Sequence, residues 1–345
     1  MEKSFSQYDK IDQNREYWID AIRSFACICV IIVHAPTSGG MKGISFIGPI
    51  NYFAAAGASI LFFMISGALV LYKPKPVIPF LKKRLSRIVF PMVFWSIVTL
   101  LISVWRGLIT WGDFWVSVAK IPVYEQVGTF WFIYVIFGIY LVTPIFATWL
   151  EKCSKRDLQF YLLIWAITLC LPYLSAFSGS CKMLVNPGHG SLYYFYGYLW
   201  FAVMGYYLRK YVYIPHFGFL HFGLFAFLIV LPLLLYQTNI PHEAIQYRAS
   251  INVVALCVCY FIIMKHLPLS DTWKRLCYHF AQRSFGIYLV HMLMKGTILK
   301  PLVVYMFNFS YGVSIPVIAF LDLLLSYLLV ELISRLPGSK YIVGV

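Results

Sequence analysis

The stretch 17-YWIDAIRSFACICVIIVHAPTSGG-40 begins as an apolar run long enough to cross a bilayer, yet it carries Asp20, Arg23 and His34. A helix needs about 20 apolar residues to span hydrocarbon roughly 30 Å thick. Ionisable groups at that depth face the bundle interior, a partner or water. At 100° per residue, Asp20, Arg23, Cys27, Ile31 and His34 lie within about 60° of one another, and the step from Arg23 to His34 rises roughly 16 Å. One helix face therefore carries a cation towards one end and a titratable base towards the other. Each group also has a plainer reading. Arg23 can snorkel to the interface, Asp20 can be its i,i+3 partner, and His34 can bond a loop. The shared face favours a functional stripe.

The rest of the chain has the same apolar character. Of its 345 residues, 61% are hydrophobic, 19% aromatic and 12% charged, whereas a soluble chain is about half apolar and a quarter charged. Apolar blocks fall at about 17–36, 49–72, 88–106, 129–149, 158–177, 192–211, 217–236, 248–266, 284–305 and 311–334. They predict an all-α polytopic integral membrane protein, with about ten transmembrane helices in one bundle. The bundle occupies residues 17–336, between tails 1–16 and 337–345. The first block reads as a span rather than a cleaved signal peptide, because no small-residue cleavage site follows it. Lys and Arg concentrate in alternate connections, on the side that holds both chain ends. The positive-inside rule then predicts both termini in the cytoplasm and an even number of spans. This distribution accounts for the net charge of +15 without nucleic acid; membrane lipid is the expected partner.

The pairs Cys27/Cys29 and Cys257/Cys259 lack the second pair and the loop setting of a zinc site. They read as packing thiols, no metal is expected, and Cys181 is a lone candidate outer-loop thiol. The prolines of 73-KPKPVIPFLKKRLSR-87 bar a continuous helix through Pro74–Pro79. The segment 107–128, with Trp111, Asp113, Trp115 and Glu125, predicts a short interfacial helix or re-entrant piece. The outer loops 178–191 and 237–247 carry His189, His242 and Glu243.

A second polar stripe lies in 284-SFGIYLVHMLMK-295, where Ser284, Tyr288, His291 and Lys295 share one face. Such a stripe faces another polar stripe or a cavity, and pairing this span with the first would place His34 near Lys295 in the outer half of the bundle; the alternative is interhelical hydrogen bonds that only stabilise packing. In the last span Asp322 and Ser326 share a face, and Glu331 with Arg335 reads as a structural ion pair. In 82-KKRLSR-87, Arg84 and Arg87 are i,i+3 neighbours whose guanidinium forks suit phosphate. Ordinary anchoring to lipid head groups is the other reading.

Taken in order, these motifs resemble the acyltransferase-3 family, integral membrane O-acyltransferases that decorate bacterial surface polysaccharides, peptidoglycan and related glycans. The family's Asp-x-x-Arg and its Arg, ten residues, His correspond to Asp20–Arg23 and Arg23–His34. Its Phe-Phe-x-x-Ser-Gly corresponds to 62-FFMISG-67, and its Arg-x-x-Arg to Arg84 and Arg87, with Pro91 following. Its Gly-Ile-Tyr-Leu-x-His is contained in 285-FGIYLVH-291. The resemblance runs over nearly the whole chain, with one departure: many members carry His-Leu-Trp-Phe where this chain has 129-TFWF-132, so Thr129 replaces a histidine that is expected to bear on substrate choice.

The resemblance implies transfer of an acetyl or other small acyl group from cytosolic acyl-CoA to a glycan or lipid-linked saccharide hydroxyl. The protein would be a stand-alone enzyme of a bacterial cell membrane, with acyl-CoA as co-substrate and no bound cofactor. A hydroxyl becomes a competent nucleophile when a base takes its proton, and imidazole titrates near neutral pH; His34 is the candidate base. Arg23 and Asp20 complete the candidate catalytic stripe, with Arg23 steering the donor or stabilising charge on the thioester oxygen. Arg84 and Arg87 are the candidate donor-phosphate residues. Ser66, Tyr288, His291 and Lys295 are candidates for the substrate cavity, and Ser66 and Ser284 for acyl carriers. The rival reading is a transporter or flippase for a glycan or lipid-linked sugar, which would also need a polar stripe through a helical bundle.

Overall fold

The computed structural model describes residues 15–35, 47–214, 218–238, 240, 245, 249–306 and 311–344, and among them the chain forms helices and no strand. His242 and Glu243 and residues 1–14 lie outside the described residues. In chain order the helices are α1 (Tyr17–His34), α2 (Ile47–Gly57), α3 (Ser59–Val70), α4 (Val77–Trp105), α5 (Trp111–Lys120), α6 (Trp131–Lys152) and α7 (Lys155–Thr168). They continue as α8 (Leu171–Phe177), α9 (Leu199–Tyr211), α10 (Phe219–Leu235), α11 (Ile251–His266), α12 (Asp271–Thr297), α13 (Lys300–Met306) and α14 (Tyr311–Ser334).

Among the described residues, six helical stretches are long and apolar enough to cross a membrane: Tyr17–His34, Tyr52–Val70, Val77–Trp105, Gly128–Lys152, Lys155–Ser175 and Val313–Ser334. Taken as one broken span bent by 67°, α12 and α13 make a seventh. The helices α9, α10 and α11 have 13, 17 and 16 residues. At 1.5 Å per residue they reach only about 20–26 Å, short of the hydrocarbon thickness. Among the described residues, length and composition mark six or seven crossings, and the three shorter apolar helices account for the remainder of the ten apolar blocks.

Helix α4 begins at Val77, earlier than the apolar block, so the basic cluster 82–87 is its second and third turns. Pro79 is tolerated because the first turn has no intrahelical acceptor for its missing N–H. As expected, 107–128 contains a short helix, α5; Thr110 and Asp113 close a reciprocal capping box at its start.

Without an aqueous driving force, helices in lipid associate by close packing at small residues. The α3–α9 pair does this. A Cβ on Gly67 would lie 1.9 Å from the Ala202 carbonyl oxygen, and one on Gly205 would lie 1.9 Å from that of Met64. Gly67 is the last residue of 62-FFMISG-67, so that motif's glycine is the contact that lets α9 approach. At the basic end, Lys265 of α11 reaches across and donates to the Leu208, Arg209 and Val212 carbonyls at 2.8, 3.1 and 2.5 Å. These are terminal carbonyls that the α9 backbone cannot satisfy itself.

The apolar core has two parts. One gathers α3, α6, α7, α9 and α11 around Phe63, Trp165, Phe201 and Phe261. The other gathers α1, α4, α12 and α14 around Ile31, Trp95, Ile287 and Ile318. Phe62, Ile88 and Phe132 pack against both. They mark a seam through the bundle.

Candidate active site

The seam holds a cavity of about 1060 Å³. Phe62, Ile88 and Phe132 line its interior, and Lys82, Lys83, Arg84 and Arg87 stand at its basic end. Arg23, Ser66 and Tyr140 are on its wall, and its far reach is marked by Val30 and Tyr288. Arg84 lies 6.0 Å over the Tyr140 ring. Arg23 lines the same cavity as Arg84 and Arg87, and its charge interacts with those of Arg84 and Asp20. Outside the spans, Lys75 is pushed below its ordinary value by partial burial first, then by the charges of Arg84 and Lys83.

One turn beyond Val30 the two polar stripes meet, because α1 and α12 pack along their length. Cys27 points its thiol at the Ser284 carbonyl at 3.7 Å, and the Ser24 hydroxyl donates to the Cys277 carbonyl at 3.1 Å. His34 Nδ1 lies 2.8 Å from the Val30 carbonyl oxygen. A carbonyl only accepts, so Nδ1 carries the hydrogen and Nε2 carries the lone pair. His291 Nδ1 is likewise bound to the Tyr288 carbonyl at 2.7 Å. This makes His291 Nε2 an acceptor, and it faces His34 Nδ1 at 3.3 Å. The His34 proton is thus shared between the Val30 oxygen and His291. Lys295, only 5% exposed, donates to the His34 carbonyl.

The cavity does not include His34, His291 or Lys295 on its wall. Tyr288 stands between. Its ring is centred 6.0 Å from that of His291, and its hydroxyl donates to the Thr129 carbonyl. Thr129 is buried, and its own hydroxyl has no partner among the described residues.

The sequence-derived residues therefore separate into two groups. Arg23, Arg84, Arg87, Ser66 and Tyr288 line one cavity; His34, His291 and Lys295 form a separate cluster off its wall, next to Tyr288. Ser284 lines the cavity too, with its hydroxyl committed to the Ala281 carbonyl at 2.8 Å. Asp20 is off the cavity wall, but its charge reaches Arg23. It is 2% exposed and accepts a two-pronged bond from Arg15, at 2.7 and 3.0 Å. That carboxylate holds the Arg15 guanidinium above its ordinary value, chiefly through the hydrogen bond. The i,i+3 pairing of Asp20 with Arg23 holds as a charge interaction, and Arg15, just before the helix, adds the hydrogen-bonded partner that helical period does not show. Glu331 bonds Arg335 at 3.2 Å, as expected, and also Arg283 at 2.7 Å. Asp322 takes the Ser326 hydroxyl at 3.3 Å, while its other oxygen has no partner among the described residues.

An acyltransferase-3 model, described as an acyltransferase domain, matches residues 16–331. Neither a curated protein nor a solved structure matches the chain. The matched span contains both polar stripes, the cavity seam and the Arg84/Arg87 mouth, and covers more than nine-tenths of the sequence. The chain belongs to the acyltransferase-3 family and is a multi-pass membrane acyltransferase.

Proposed function

We propose that this protein moves an acetyl or similarly small acyl group from acyl-CoA to a hydroxyl of a cell-surface or lipid-linked glycan, with His34 as the general base. The observation that carries this reading is the hydrogen bond from His34 Nδ1 to the carbonyl of Val30, a residue that itself lines a cavity with a cationic mouth. It presents the lone pair of Nε2 as a base while the mouth offers guanidinium groups to donor phosphates.

In this mechanism the nucleotide stays at the basic, cytosolic end, and the thin pantetheine arm enters along Phe62, Ile88 and Phe132. The Tyr288 ring turns aside to admit the thioester. His34 Nε2 takes the acceptor's hydroxyl proton as its oxygen bonds to the thioester carbonyl carbon. The C–S bond then breaks, and the departing CoA sulfur takes the proton back from His34. While His34 is an imidazolium, His291 Nε2 and the Val30 oxygen share its Nδ1 hydrogen. Lys295 places positive charge beside the oxyanion. Arg23 is assigned to the donor rather than to that oxyanion. It lies roughly 16 Å of helix rise from His34, beyond reach of a carbonyl bonded at that residue.

The test is turnover of acetyl-CoA by purified protein in lipid nanodiscs, with mass spectrometry of surface glycans from cells with and without the protein. CoA release together with an acyl mass on a sugar supports the reading. Absence of thioester turnover alongside glycan movement across the membrane would favour the transporter reading.

A further inference from the structure

The segment after the last helix does not trail away from the bundle. Gly338, at φ +83°, makes a left-handed turn that L side chains disfavour, and a short 3₁₀ turn over Ser339–Tyr341 follows. The chain then runs across the basic end. The Trp95 indole N–H donates to the Ile342 carbonyl at 2.8 Å, and Val343 is fully buried. The anchored strap carries Lys340, Tyr341 and Gly344 into the cavity wall, facing Arg84 and Arg87 of α4. Tyr341 is 48% exposed; its ring meets Phe90 edge-on at 5.5 Å, and the Lys340 ammonium lies 4.8 Å over it.

We infer that this strap is the nucleotide-binding wall of the donor site, with Tyr341 packing against the base and Lys340 sharing the phosphates with Arg84 and Arg87. The inference rests on the acyl-CoA reading above and deepens it. Four observations carry it. The strap is held by a part-buried hydrogen bond and a buried side chain, so its position is built. Its exposed groups are one cation and one aromatic ring, the pair that recognises a nucleotide by charge and by stacking. Those groups stand on the cavity wall together with Arg84 and Arg87. The apolar interior begins directly behind them, so a nucleotide held there would leave its pantetheine arm pointing inwards. A head-group anchor would need the cation but not the ring inside the cavity.

The experiment compares acetyl-CoA with S-acetylpantetheine, which has the same thioester arm and no nucleotide, on wild type, Tyr341→Ala, Tyr341→Phe and Lys340→Ala. Binding of adenosine 3′,5′-bisphosphate is measured in parallel by calorimetry. Tyr341→Ala is expected to raise KM for acetyl-CoA roughly tenfold, the size of one lost base–aromatic stack. KM for S-acetylpantetheine and kcat should stay unchanged. Tyr341→Phe should restore the wild-type value, and Lys340→Ala should weaken bisphosphate binding severalfold. Equal KM changes for both donors, or unchanged bisphosphate binding in both alanine variants, would overturn the strap's role while leaving the donor reading intact. A wild-type protein that binds no bisphosphate and turns over neither thioester would overturn both.

Discussion

Replacing His291 by leucine separates the roles of the two histidines. In the resting site His34 donates its Nδ1 hydrogen to the Val30 oxygen at 2.8 Å and faces His291 Nε2 at 3.3 Å. When His34 takes a proton, both bonds become charge-assisted. A hydrogen bond to a charged group is worth about 1.5–3 kcal/mol. The longer, shared contact to His291 belongs at the lower end, so its loss raises the barrier by about 1.5 kcal/mol, roughly tenfold in kcat. Loss of the base itself costs about 10²–10⁴-fold. Thus His291→Leu should lower kcat about tenfold at unchanged acyl-CoA KM, and His291→Gln, which keeps an acceptor, should recover most of it. The assay is steady-state thioester turnover in nanodiscs, with a thermal unfolding midpoint for each variant. If His291→Leu removed activity as completely as His34→Ala, the assignment of base and orienting partner would be wrong. A His291→Leu variant with wild-type kcat would show that the contact carries no catalytic weight.

Three further outcomes are expected. Gly205→Ala should cost roughly 3 kcal/mol of stability, seen as a large fall in the unfolding midpoint, because its Cβ would lie 1.9 Å from a backbone oxygen that cannot swing aside. Arg15→Ala should destabilise by roughly 2 kcal/mol, less than a fully buried pair because Arg15 is partly exposed; adding Asp20→Asn should restore the midpoint, and a lasting loss of kcat in the double variant would return Asp20 to the catalytic group. Arg84→Ala with Arg87→Ala should raise KM for acyl-CoA and spare kcat; an unchanged KM would make them lipid anchors.

The pairing of the two stripes was legible because it follows from helical period: residues 3, 4 and 7 apart share a face wherever the helix is regular. That period put Cys27 and His34 against Ser284, His291 and Lys295. What was not legible depends on chain direction outside regular helices. Asp20 found Arg15, which precedes the first turn, where no period applies. The break at Ala58, between α2 and α3, lies beside Gly57, which packs closely: a Cβ there would lie 2.5 Å from the Cys29 sulfur. Where α9 starts was not legible either: apolar composition runs from 192, whereas the helix begins at Leu199. The strap 338–344 was read as a tail because its burial comes from contacts with distant helices, through Trp95 and Phe285. Thr129 was visible as a departure from its family. Its unpartnered hydroxyl became visible only when Tyr288 was seen to bond its carbonyl.

The most direct test is acetyl-CoA turnover by His34→Ala, purified in lipid and shown by its unfolding midpoint to be folded. With His34 as the base, acyl transfer to the hydroxyl acceptor falls at least a hundredfold, while adenosine 3′,5′-bisphosphate still binds at the cationic mouth. Transfer at the wild-type rate in a folded His34→Ala protein would contradict the account.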